Sequence, residues 1–145
     1  MQLPVVAAVP GVFTMDATGT GQAAVINQDG TVNGPSNPAP RGSTVAVYMT
    51  GTGTLTPPIA DGSVGPSSPP FPAPVQTITA QIGPLPALVV FAGQAPTLIA
   101  GATQVNVQVP LDAPTGTTTP ITIAAGEYSS GAFSPQQSPV FVAIK

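Results

Sequence analysis

The sequence predicts an all-β domain, an antiparallel β-sandwich of about eight short strands. Three observations predict it. Apolar and polar residues alternate with period two in one short segment after another, the pattern of half-buried strands. Turn-forming pairs such as Pro10-Gly11, Asp29-Gly30, Asp61-Gly62 and Gly83-Pro84 separate those segments. Helical spacing is absent, and 20 prolines in 145 residues leave little room for a long helix.

Taken in order, Leu3 to Val9 is a short apolar run closed by Pro10-Gly11. Gln22 to Asn27 and Thr31 to Asn33 flank Gln28-Asp29-Gly30, a hairpin turn. Ser43 to Thr50 alternates, with Val45, Val47 and Met49 on one face and Thr44, Ala46 and Tyr48 on the other. Thr52 to Pro74 is a long Pro-rich loop. Gln76 to Ile82 sets Ile78, Ala80 and Ile82 on one face. Leu85 to Phe91 is apolar on both faces, which suits a central strand. Thr103 to Val109 is the clearest strand, with Val105, Val107 and Val109 inward and Gln104, Asn106 and Gln108 outward. Pro120 to Ala125 and Val140 to Ile144 complete the set.

A chain of 145 residues suits one domain. Residues 1–9 read as an N-terminal strand or linker, and residues 10–145 as the sandwich. Ser138-Pro139-Val140-Phe141-Val142-Ala143-Ile144 echoes Leu3-Pro4-Val5-Val6-Ala7-Ala8-Val9. Residues 3–9 are therefore expected to be the tail of a preceding module, or a strand that pairs with a sheet edge. Leu3, Val5, Val6 and Val9 are the candidate strand-exchange or interface residues, because an uncharged β-branched run needs backbone partners once it leaves water.

Only 5% of residues are charged, against roughly a quarter in ordinary domains. Arg41 and Lys145 are the only cations and the net charge is -3. Nucleic acid and anionic lipid need clustered Lys and Arg, so both are excluded as partners. Residues 85–102 are apolar but broken by Pro86, Gln94 and Pro96, which argues against a membrane-spanning helix. Residues 1–15 lack the basic start and long apolar middle of a secretion signal, so a secreted protein would carry its signal upstream.

The chain has no His and no Cys. No His-dependent triad, thiolate nucleophile or disulfide framework can be built. The acids are Asp16, Asp29, Asp61, Asp112 and Glu127, all in expected turns, where Asp commonly bonds its own backbone. No catalytic residue, cofactor site or metal site is assigned. Asn27, Asp29 and Asn33 are oxygen donors around one hairpin and suit calcium in kind, but a turn explains them better. Gly19-Thr20-Gly21 and Gly51-Thr52-Gly53 lack the helix and Lys of a phosphate loop, and read as strand ends or bulges. Tyr48, Tyr128, Phe71 and Phe133 could form a sugar platform, although Phe71 and Phe133 read better as plugs on the ends of the sandwich. A self-forming isopeptide bond needs a buried Lys, and the only Lys is the terminal Lys145.

Several longer stretches occur together: Val9-Pro10-Gly11-Val12-Phe13-Thr14; Gly19 through Asn33; Asn37-Pro38-Ala39-Pro40-Arg41-Gly42-Ser43; Val47 through Gly53; Phe91 through Pro96; and Gln104 through Pro110. In that order they resemble the uncharacterised C-terminal domain of many large secreted acidobacterial proteins, over roughly residues 9–145. The resemblance implies an Ig-like sandwich, an extracellular or cell-surface location, and no catalytic residues. The expected function is a non-enzymatic structural or adhesive module, a spacer or attachment domain whose partners are neighbouring domains or copies of itself. The alternatives are a filament subunit that exchanges residues 3–9, and a carbohydrate-binding module.

Overall fold

The computed structural model describes residues 5–130 and 139–145. Within them the chain is all-β, without a helix. Twelve strands lie among the described residues: β1 (Gly11–Val12), β2 (Gly21–Gln22), β3 (Val25–Ile26), β4 (Thr44–Thr50), β5 (Leu55–Thr56), β6 (Ala73–Pro74), β7 (Ile78–Ile82), β8 (Leu85–Gln94), β9 (Thr103–Gln108), β10 (Gly116–Ala125), β11 (Tyr128–Ser129) and β12 (Val140–Ile144). The count exceeds the expected eight because six of them are two-residue ladders that fasten loops. The longer strands are β4, β7, β8, β9, β10 and β12, close to the expected set.

Ten strands form one curled sheet in the order β1-β4-β9-β8-β7-β10-β12-β2, with β3 on β4 and β11 on β10. Residues 21–26 join its two ends. Gly21 and Gln22 pair with Val140 and Phe141 of β12, and Val25 and Ile26 pair with Val47 and Ala46 of β4. The β12–β2 pair is parallel. The sheet is thus mixed, which corrects the expectation of a purely antiparallel one. Two strands turn the corners. Leu85 to Ala87 of β8 pair with β7, and its remainder pairs with β9 across a bulge at Val89–Phe91. β10 pairs with β12 through Gly116 to Pro120 and with β7 through Ile121 to Ala125.

One core fills the curl. Val45, Val47 and Met49 face Val105, Val107 and Val109 in the interior, together with Ile82, Ile123, Val142 and Ile144. The alternation of β4 and β9 therefore falls as expected, and each buried Val contributes about 1.5–3 kcal/mol relative to exposure. β8 departs from expectation. It is central in the sheet order, yet Leu88 and Val90 remain 62% and 54% exposed. Their face looks outward and leaves both side chains largely in solvent.

The expected strand over residues 3–9 also differs. Leu3 lies outside the described residues, and residues 5–9 form no strand. They run along the end of β4, where the amide of Val9 donates to the carbonyl of Gly51 at 2.9 Å. Beyond Thr50 the partner backbone leaves strand geometry at Gly51, with φ at +75°, so the regular ladder stops. A Cβ at Gly51 would overlap the Val9 carbonyl, so only glycine admits the approach. Alternation puts Ala8, Pro10 and Val12 inside and leaves Val5 and Val9 outside.

β4 runs between two poles of the molecule, about 20 Å apart by strand rise. At one pole Val9 meets Gly51. At the other, the amide of Gly42 bonds the carbonyl of Val109, and the amide of Arg41 bonds the carbonyl of Lys145. Val9 thus lies at one pole and Lys145 at the other.

Candidate functional site

The most elaborate polar arrangement among the described residues surrounds β12. Its odd-numbered residues face the joining segment. The carbonyl of Pro139 accepts from the amide of Gly21 at 3.4 Å, and that of Phe141 accepts from Ala23 at 2.9 Å. The joining segment then leaves β12 to reach β4, which would orphan the next rung. Asn33 fills it with a side chain. Its Oδ1 accepts from the amide of Ala143 at 2.8 Å, and its Nδ2 donates to the carbonyl of Ala143 at 2.9 Å. Past that rung the backbone of residues 39–41 takes over. Ala39 donates to Ala143 at 2.8 Å, Lys145 to Ala39 at 2.9 Å, and Arg41 to Lys145 at 3.1 Å.

Asn33 is 2% exposed and its amide is fully used. Nδ2 also donates to Asn27 Oδ1 at 2.9 Å, and Oδ1 also accepts from Gln22 Nε2 at 3.1 Å. Asn27 donates in turn to Thr31 Oγ1 and to the carbonyl of Asn37 at 2.7 Å. Among the described residues no buried side-chain nitrogen or oxygen lacks a partner. Complete satisfaction lets such a network sit in a core without a desolvation penalty left over.

The hairpin donors singled out from sequence are therefore divided. Asn27 and Asn33 come together, but their oxygens are occupied by the chain's own amides. Asp29 points away into its turn, accepting from the hydroxyl of Thr31 at 2.6 Å and its amide at 3.0 Å. Those bonds hold its carboxyl below the usual Asp value. Asp16 is lowered in the same way, chiefly by the hydroxyl of Thr18. A surface cavity of about 420 Å³ opens beside the hairpin, lined by Asn27, Gln28, Asp29, Pro40 and Ser43. Asp29 is the single charged side chain in that lining.

The other sequence candidates are spread over the molecule. All five acids are exposed, and no group of three metal-ligating His, Cys, Asp or Glu side chains occurs among the described residues. Tyr48 lies opposite Gln104 on the outer face of β4 and β9. Tyr128 lies opposite Ala125 of β10, in a different part of the sheet. Phe71 packs edge-on against Phe91, with ring centroids 5.9 Å apart, so it caps the outer face of β8. Phe133 lies outside the described residues. Gln104 donates to Asn106 Oδ1 at 2.8 Å, making the outward amide row partly self-satisfied. Gly51-Thr52-Gly53 is the turn that receives residues 7–9, and Gly19-Thr20-Gly21 leads into β2.

Sequence reasoning missed Gln94. It is fully buried at the end of β8, where Nε2 reaches the carbonyls of Ala95, Leu98 and Ile99 at 3.0–3.2 Å. Its Oε1 accepts from the amide of Gly101 at 3.3 Å. The long loop docks on the same turn, through Gly65 to Leu98 and Ala100 to Ser63. Its signal in the sequence is a lone Gln between apolar runs.

Of the interface residues, Val5 is 97% exposed, Val6 is half-buried and Val9 is 51% exposed. Among the described residues no helix is long and apolar enough to cross a membrane. Comparison with protein-family models, with curated proteins and with solved structures finds no match to this chain.

Proposed function

We propose that this chain is an Ig-like β-sandwich module of an extracellular or cell-surface protein, of the acidobacterial C-terminal kind that its motifs resemble. Its role is that of a non-enzymatic spacer or attachment unit. The observation that carries this reading is the placement of Val9 and Lys145 at opposite poles of β4, which lets successive units stand in line. The surface supports it: uncharged Thr, Ser, Gln and Asn side chains are wetted without offering a charged ligand site. Val64, Leu98 and Ile99 stand exposed on the loops beside the pole of Val9, where a neighbouring unit would abut.

Three copies joined head to tail, studied by small-angle scattering, test the reading. The maximum dimension should grow by one constant increment per copy. A trimer that collapses to a globule contradicts it. The exposure of Val5 and Val9 favours one second reading, a filament in which residues 3–9 join the sheet of another copy. Light scattering of the full chain separates the two, since a spacer stays monomeric and a filament subunit grows with concentration.

A further inference from the structure

We propose that the module carries tension between its poles, with β12 held as a shear clamp that Asn33 splices into one continuous ladder. The proposal rests on the spacer reading and adds a mechanical property to it. A pull on Lys145 away from its pole drags β12 along its own axis. The parallel partner β2 is held back by the opposite pull, which reaches it through β1 and β4. Inter-strand hydrogen bonds run across the strands, so such a load falls on all the rungs of β12 together. On the edge facing residues 21–41 those rungs are Gly21 to Pro139, Ala23 to Phe141, Asn33 to Ala143, Ala39 to Ala143, Lys145 to Ala39 and Arg41 to Lys145, while β10 pairs along the other edge through Gly116 to Pro120. At the other pole Val9 and Phe13 bond the carbonyls of Gly51 and Tyr48, and that segment too is loaded along its length.

Asn33 decides whether the rungs act as one ladder. Residues 21–23 and 39–41 are separate stretches of chain, and Ala143 sits where the first gives way to the second. Its amide proton has Asn33 Oδ1 as partner. The side chain also ties the clamp to Gln22 and Asn27, so slippage at one stretch is resisted by the other.

Single-molecule pulling tests the proposal. The chain contains no Cys, so engineered pairs define the handles uniquely. Val5→Cys with Lys145→Cys loads the poles in shear. Pro40→Cys with Lys145→Cys pulls apart two neighbours at one pole and peels the ladder a rung at a time. The polar pair should unfold at clearly higher force than the peeling pair. In the polar geometry Asn33→Ala should raise the unfolding rate at fixed load by about tenfold or more. Gln94→Ala, remote from β12, should leave that rate within about twofold. Equal rupture force in the two geometries overturns the proposal, as does an equal effect of Asn33→Ala and Gln94→Ala. Should Asn33→Ala fail to fold, the comparison of geometries in the parent chain still decides. Equal forces in a chain whose head-to-tail trimer lengthens normally would leave the spacer reading standing and remove only the tension-bearing property.

Discussion

Asn33 and Gln94 are two buried amides, one towards each pole, and they differ in what they hold. Asn33 stands in for a missing stretch of backbone between two strands and is bound on every side by core elements. Gln94 gathers the carbonyls of one turn, residues 95–101, whose Thr97, Leu98 and Ile99 are exposed. The same chemical group is thus a splice within the sheet in one place and a loop tie in the other. Loss of the first strands polar groups in the interior. Loss of the second releases a loop that water can solvate, so the cost is partly relieved by local opening.

Substitutions can be ranked against that difference. Val107→Asp sets the upper limit by placing an unpaired charge at a fully buried site; it should cost several kcal/mol and unfold the domain. A thermal melt unchanged from the parent would mean that the register of β9 is wrong. Asn33→Ala should come next, at about 2–4 kcal/mol, because Ala143 N–H and Asn27 Oδ1 both lose their partners inside the core. Gln94→Ala should cost less, about 1–2 kcal/mol, with loss of protection confined to residues 95–101. Urea unfolding of the two variants checks the order, and a larger loss for Gln94→Ala would reverse the comparison.

The smallest effect concerns acid. Asp16 and Asp29 have folded-state pKa values below the ordinary 3.8, held there by Thr18 and Thr31. What each contributes is complete above that ordinary value and is lost as pH falls through the lowered folded value. Both carboxyls are fully exposed, so the change in melting temperature should be slight and restricted to strongly acidic solution. Asp29→Asn should remove its share of that acid slope while leaving the neutral melt close to the parent's.

Much of the fold was legible because alternation reports directly on burial. β4 and β9 are half-buried strands whose polar residues mark the wet face. Their registers, Val45 to Val107 and Val47 to Val105, follow the pattern. β8 misled for the same reason. Its outward residues Leu88 and Val90 are apolar, so alternation disappeared and the strand read as covered on both sides. The N-terminal segment reads as a strand from its apolar, β-branched run and its echo in residues 138–144, neither of which shows where β4 ends. The polar splice was half visible. Asn27, Asp29 and Asn33 stood out as an oxygen cluster around a hairpin, and Asp29-Gly30 did build the turn. That Asn33 would reach Ala143, 110 positions away, depends on the joining segment crossing from β12 to β4, a property of the closed sheet and not of any local motif.

Two backbone amides report on the account side by side, since Ala143 donates to Asn33 Oδ1 and Gly101 donates to Gln94 Oε1. Native-state hydrogen exchange reads the opening free energy of each. Ala143 should exchange only through global unfolding, with the same free energy and denaturant dependence as Val105 and Val107 in the core. Gly101 should exchange through a smaller, local opening. If Ala143 exchanges as readily as Gly101, β12 is not spliced into the core, and both the closed sheet and the clamp built on it are wrong.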